Sequence, residues 1–228
     1  QGVPVNKITS RLDDIKLQLA ARSIRIVAPI DGKEAVGIEI PNKKKSMVTL
    51  REIIETDEFM KPDVPLNMAL GKDILGRPIV ANLAKMPHLL VAGATGSGKS
   101  VCVNTMIISL LMRLSPEKLK MILIDPKMVE FKIYHEIPHL MAPVVTDMKK
   151  AARALQWAVK EMEERYTKLA KIGARDILRY NAMVEEHEKL PYLVIIVDEL
   201  AELMMTNRKD CEIAISRLAA KARGAGLH

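Results

Sequence analysis

Aromatic side chains are scarce in this chain: they make up 3% of 228 residues, with Trp157 the single tryptophan. That scarcity argues against a base-stacking platform for single-stranded nucleic acid, which needs exposed rings. Cysteine is scarcer still. Cys102 and Cys211 lie far apart and make no metal or redox spacing, so nothing points to an oxidising compartment and cytoplasmic chemistry is the default. No apolar run approaches the roughly eighteen residues that would span a bilayer. The sequence opens at Gln1 without a signal-peptide pattern and reads as an excised or processed piece with no membrane contact of its own. Internal repeats and low-complexity tracts are lacking too. What is present, 49% hydrophobic and 28% charged residues, excludes disorder over most of the length and suffices for a medium domain plus a small one. Lys and Arg outnumber Asp and Glu by 35 to 28, leaving +7, which favours a polyanion partner without requiring one.

Residues 1–60 read as a small α+β domain, incomplete at its N-terminal side. Thr9 and Ser10 are expected to cap a helix containing Leu12, Ile15 and Leu19. Two β-type runs, 23–30 and 34–40, are joined through Asp31-Gly32, where glycine tolerates positive φ. Asn42 to Lys45 makes a basic turn, for which a solvated loop is the plain reading. The prolines at 62 and 65 break any regular element and mark the expected boundary, with a second domain over 61–228, incomplete at its C-terminal side.

Beyond that boundary apolar strands alternate with long helices: a strand over 88–92 and a helix from Lys99 to about Leu114, a strand over 121–124 and a helix from Asp147 to about Ile172, then a strand over 192–197 and a helix ending near Arg223. Such alternation predicts a mostly parallel sheet flanked by helices. Leu193 to Val197 is apolar on both pleat faces and must be central. In the long helix Ala151, Leu155, Ala158, Met162, Tyr166 and Leu169 share one face. Lys149, Lys150, Arg153, Lys160 and Lys168 cover much of the remainder, as either a DNA-facing or a solvated surface. The fourteen methionines are core filler rather than a partner box.

Gly93-Ala94-Thr95-Gly96-Ser97-Gly98-Lys99-Ser100 fits G-x-x-x-x-G-K-[ST] between a predicted strand and a predicted helix. Glycines there clear side chains so that backbone N–H groups turn inward around a phosphate, and the helix N-terminus adds partial positive charge. The cradle runs from Gly93 to Val101. Lys99 reaches the β- and γ-phosphates and the Ser100 hydroxyl suits Mg²⁺. A dinucleotide fold is disfavoured, since its third glycine is replaced by Val101 and it has no use for Lys99-Ser100. Asp198-Glu199 follows the central strand at its carboxyl end, where open α/β sheets bind ligands. Asp198 is placed to hold Mg²⁺, and Glu199 to orient and deprotonate a water, a combination suited to hydrolysis of a nucleoside triphosphate.

Two further patterns have weaker claims. Asp125-Pro126-Lys127 ends another strand on the same sheet edge, where Lys127 touches nucleotide, a neighbouring subunit, or nothing in a simple turn. His135-Glu136-Ile137-Pro138-His139 matches H-E-x-x-H, but zinc-protease chemistry needs both His on one helical face, and Pro138 costs about 3 kcal/mol inside a helix. Loop packing is the better account of both imidazoles.

Taken together, the residues resemble the motor region of the FtsK/SpoIIIE double-stranded DNA translocases of bacteria. The resemblance rests on Val36 to Lys44, on Ala92 to Val101 with Asn104, on Ile124 to Lys127, on Pro138 to Met148, on Val197 to Met205 and on Lys221 to His228. It implies an alpha domain followed by part of a RecA-like P-loop NTPase core. It also implies a homo-hexamer ring around double-stranded DNA, driven by ATP with Mg²⁺, in chromosome partition and cell division. By position the family's nucleotide-binding lysine is Lys99, its metal-site residues are Ser100 and Asp198, and its catalytic glutamate is Glu199. The resemblance further implies anchoring of the whole protein in the inner membrane and contacts to division-site proteins, both through regions absent here. It places a further strand, the arginine finger and most DNA-contacting loops after His228, with that strand between the phosphate-loop strand and the Asp198 strand. Unpaired backbone groups in such a buried slot cost about 1 to 3 kcal/mol each, so these residues alone are expected not to be an autonomous motor. Rival readings are an FtsK-like ring ATPase moving protein or single-stranded DNA, and an ATP-binding division scaffold.

Overall fold

The computed structural model describes residues 3–21, 23–44, 46–62 and 64–228. They form two compact units, divided between Met47 and Val48.

In the first unit α1 (Val5–Thr9) and α2 (Leu12–Gln18) precede an antiparallel pair, β1 (Arg25–Val27) and β2 (Gly37–Glu39). Thr9 and Ser10 do not cap α2: their hydroxyls donate back to carbonyls of α1, Asn6 at 3.1 Å and Lys7 at 3.1 Å, leaving Arg11 as the N-cap without a side-chain bond. Serine and threonine compete for nearby backbone in this way whenever a preceding turn offers free carbonyls. The Asp31-Gly32 turn forms as expected, with Gly32 at φ 69°. Lys45, the end of the basic turn, lies outside the described residues.

The second unit opens with α3 (Leu50–Ile54) and α4 (Asp57–Met60), then an antiparallel hairpin of β3 (Asn67–Lys72) and β4 (Pro78–Asn82). A capping box between Thr49 and Glu52 starts α3. Ile53 and Phe59 are buried against Ala69 of β3, and the Arg113 guanidinium donates to the carbonyls of Phe59, Lys61 and Val64. These contacts fasten the residues up to the prolines onto the second unit, so the division falls earlier than the 60/61 boundary expected from proline alone. The prolines break the chain between α4 and β3 without separating domains.

Next come α5 (Lys99–Arg113), β5 (Leu119–Ile124), α6 (Met148–Lys171), α7 (Ile177–Met183), β6 (Tyr192–Val197) and α8 (Leu200–Lys221). β5 and β6 pair in parallel, Leu119 opposite Tyr192 through Ile124 opposite Val197. Because side chains alternate across a strand, the two strands feed two cores. Ile122, Ile124 and Leu193 pack on α6 and α8, with Leu155, Met162, Leu203 and Leu218. Leu119, Met121, Leu123 and Val194 pack on the other face with Ile107 and Leu110 of α5 and with Leu66 and Met68. This is an α/β fold with a parallel sheet covered on both faces, as the alternation predicts.

β6 is central. Its second flank pairs with the chain around Leu227: Leu193 N donates to Gly226 O at 2.9 Å, His228 N to Leu193 O at 2.9 Å and Ile195 N to His228 O at 2.8 Å. Residues 88–92, expected as a strand, form none. A strand needs a ladder partner, and among the described residues none pairs with this segment; Leu90 is 77% exposed. α8 is one helix interrupted at Asn207, where φ is −146° and ψ is 60°. Among the described residues no helix is long and apolar enough to cross a membrane.

Candidate functional site

The segment from Gly93 to Gly98 leads directly into α5. Gly96 and Gly98 have φ of 78° and 99°, the left-handed region that favours glycine, and a Cβ built on either would meet no atom within 4 Å. The turn is closed by backbone, with Ser97 N donating to Ala94 O at 3.0 Å, and at Gly93 a side chain would collide with the Ser97 hydroxyl. Gly98 is the N-cap of α5 and contributes no side-chain bond, and the first turn holds no acid. No acid within the first turn of α5 offsets the positive helix end, an arrangement that attracts phosphate. Ala94, Thr95 and Ser97 lie within this loop, and Val101 follows on the first turn with 71% of its surface exposed.

Lys99 projects across the sheet edge to the end of β6. Its Nζ lies 2.8 Å from the Asp198 carbonyl, 3.2 Å from Asp198 Oδ1 and 3.9 Å from Glu199 Oε2. The Asp198 side chain is 5% exposed and that of Glu199 31%. Glu199 is the N-cap of α8, and its Oε2 also lies 3.4 Å from Lys127 Nζ. Lys99, Ser100, Glu130, Asp198 and Glu199 line one cavity of about 1040 Å³ that continues along β6 to Leu227 and His228. The sequence-predicted residues of the cradle and of the strand end are therefore brought together on one edge of the sheet, as two chain segments that meet only because β6 lies beside the start of α5.

Asp125 behaves differently from its neighbour Lys127. It is fully buried, and its Oδ2 accepts from the amides of Glu130 at 2.9 Å and Phe131 at 3.0 Å, which shapes the loop after β5. Lys127 instead reaches Glu199 of its own chain, a contact that none of the readings open for it had named. Sequence reasoning missed Glu130: the Ser100 hydroxyl donates to its Oε1 at 2.7 Å. No spacing rule picks out this glutamate, because it follows a strand end by a loop whose course only Asp125 fixes. The H-E-x-x-H residues form turns rather than a helix, with Glu136 at φ 77° and His139 Nε2 2.8 Å from Leu114 O.

The donor chemistry fits a nucleotide with a hard divalent cation: backbone amides and an ammonium for phosphate oxygens, a hydroxyl and carboxylates for Mg²⁺. A glycine cradle ahead of a helix, with its lysine facing two acids at the end of a parallel strand, defines a P-loop ATPase. Residues 49–228 match the FtsK/SpoIIIE family and residues 1–42 match the FtsK alpha domain. The chain belongs to the FtsK/SpoIIIE family.

It is 56% identical over 230 residues to the DNA translocase SftA of Bacillus subtilis (strain 168), covering 100% of this chain and 24% of that protein. It is 55% identical over 235 residues to the DNA translocase FtsK of Listeria monocytogenes, covering 100% and 31%. The chain thus spans about a quarter to a third of the curated relatives it matches. Among solved structures, the pCW3 conjugation coupling protein TcpA is similar with a TM-score of 0.68 and 24% identity, over 99% of this chain and 63% of that one. The cytoplasmic domain of the type VII secretion ATPase EccC of Thermomonospora curvata gives 0.66 and 24%, over 81% and 24%. At these identities the likeness concerns the fold alone.

Proposed function

We propose that this chain is the motor part of an ATP-driven double-stranded DNA translocase acting in bacterial chromosome segregation and cell division. The observation that carries this reading is the approach of Lys99 to the Asp198-Glu199 pair, Nζ to Oδ1 at 3.2 Å, at the end of the glycine loop that leads into α5. The amides from Gly93 to Val101 would hold the phosphate tail, with Lys99 leaving Asp198 to balance the β- and γ-phosphates. Ser100 and Asp198 would hold Mg²⁺, which supplies neutralisation of the charge on the transferred phosphoryl group. Glu199 would orient the attacking water and accept its proton.

Movement along duplex DNA would come from six copies in a ring pushing on phosphates, a mode largely indifferent to sequence because phosphate contacts position without specifying. DNA affinity should then fall steeply with salt as counterions are released. In the whole protein, anchoring at the inner membrane and contacts with division-site proteins belong to this reading. The relatives' shared name of DNA translocase supports it.

The test is ATP hydrolysis by the complete protein with and without duplex DNA. Strong stimulation by duplexes of unrelated sequence is the expected result. Activity that stays flat would favour a machine that moves protein, or a nucleotide-binding scaffold.

A further inference from the structure

We propose that Glu130 is a positioning residue for the divalent cation that accompanies the nucleotide, acting through the Ser100 hydroxyl. The proposal rests on the ATPase reading above and adds to it a residue outside both the glycine cradle and the Asp198-Glu199 pair.

A serine hydroxyl has one proton and two lone pairs. To serve a cation it must offer a lone pair, so its proton needs another acceptor. In a helix the common acceptor is a carbonyl of the preceding turn, but Ser100 sits at the start of α5 and has no such turn behind it. Glu130 Oε1, 2.7 Å away, is the acceptor the fold provides. Because the acceptor is a carboxylate, the bond is charge-assisted: it fixes the rotor and enriches the hydroxyl oxygen in electron density. Carboxylates do the same for metal-binding histidines when they accept from the ring nitrogen that does not touch the metal.

The glutamate is itself held in place. Asp125, buried at the end of β5, accepts from the Glu130 amide, and the neighbouring Phe131 is 1% exposed. The same segment grips α5 a second time: Tyr134 donates to Asn104 Oδ1 at 2.5 Å, and Asn104 Nδ2 donates to Ser100 O at 3.0 Å. Hydroxyl and carbonyl of Ser100 are thus both set from the loop after β5. That loop also carries Lys127, the partner of Glu199.

The test is a Mg²⁺ titration of the complete protein with a fluorescent, non-hydrolysable ATP analogue. Wild type must bind the analogue more tightly as Mg²⁺ is added; absence of that gain overturns the ATPase reading and this proposal with it. Given the gain, E130A should raise the Mg²⁺ concentration at half-saturation by about 10-fold or more while leaving affinity in EDTA nearly unchanged. E130Q, which keeps an oxygen acceptor but loses the charge, should shift it in the same direction by less. S100A and the double variant S100A/E130A should share one midpoint, since Glu130 works only through the hydroxyl. An unchanged midpoint in E130A, an equal loss of affinity in EDTA, or additive losses in the double variant would each overturn the proposal. Circular dichroism melting establishes that E130A folds; should it not fold, the E130Q midpoint decides.

Discussion

Lys99 Nζ lies 3.2 Å from Asp198 Oδ1 and 2.8 Å from the Asp198 carbonyl, joining residues ninety-nine positions apart. The contact ties the first turn of α5 to the end of β6, so the two halves of the proposed nucleotide site share one side chain. Asp198, with its side chain 5% exposed, has that ammonium as its counter-charge.

K99A is therefore expected to abolish nucleotide binding, read by fluorescence of a bound analogue. E199Q should keep binding and slow single-turnover ATP hydrolysis about 10²- to 10⁴-fold. Turnover at the wild-type rate in E199Q would remove Glu199 from the chemistry.

D125A should destabilise the fold by about 1–3 kcal/mol through the buried Phe131 amide it leaves unsatisfied, measured by urea unfolding, while the half-buried Glu130 amide can turn to water. Both donors, Glu130 N and Phe131 N, lie within 3.0 Å of the lost oxygen. Loss of stability below 1 kcal/mol would mean that the loop re-pairs these amides elsewhere.

Arg165 is 4% exposed on the inner side of α6. It donates to Glu161 at 2.7 Å and to the carbonyls of Pro191 at 2.7 Å and Ala225 at 3.0 Å. R165A should cost about 3 kcal/mol, the lower end for breaking a buried ion pair, because Glu161 keeps 23% side-chain exposure and can rehydrate. R165K, which cannot fork to three acceptors, should recover only part of that loss in the same unfolding assay.

The His228 ring is buried, and burial pushes its pKa down to about 4; His88 and Arg223 push the same way, against the Pro87 carbonyl bonded to Nδ1. An unfolded chain takes up this proton near pH 6.5 and the folded one only near 4, so between those values the unfolded state binds more protons. Stability should therefore fall as pH drops from about 6.5 towards 4, by up to about 3 kcal/mol from this group. H228Q should flatten the slope of unfolding free energy against pH in that window; an unchanged slope would show that other groups set it.

The P-loop and the Asp198-Glu199 strand end were legible because both are local: a spacing of glycines, and an apolar run meeting two acids. β6, apolar on both faces, could be placed at the centre of a sheet for the same reason. Residues 89–92 are also apolar, yet an apolar run does not encode a hydrogen-bonding neighbour, and among the described residues this segment has no ladder partner. The β3–β4 hairpin escaped notice because Gly71 interrupts its alternation with an irregular register between Ala69 and Gly71. Arg165 follows Glu163 and Glu164 on α6, where nothing in the local sequence separates a buried cation from a solvated one. Glu130 depends on a turn closed by one buried carboxylate, and that is a tertiary fact.

Lys127 gives the site a second ammonium, 3.4 Å from Glu199. Two carboxylates beside a polyanionic tail would by themselves repel it, and a nucleotide that draws Lys99 away would sharpen that repulsion. Under the proposed function Lys127, standing on a separate loop, would leave Glu199 a counter-ion once Lys99 had changed partners, so that substrate would enter without stranding a bare negative charge beside its terminal phosphate.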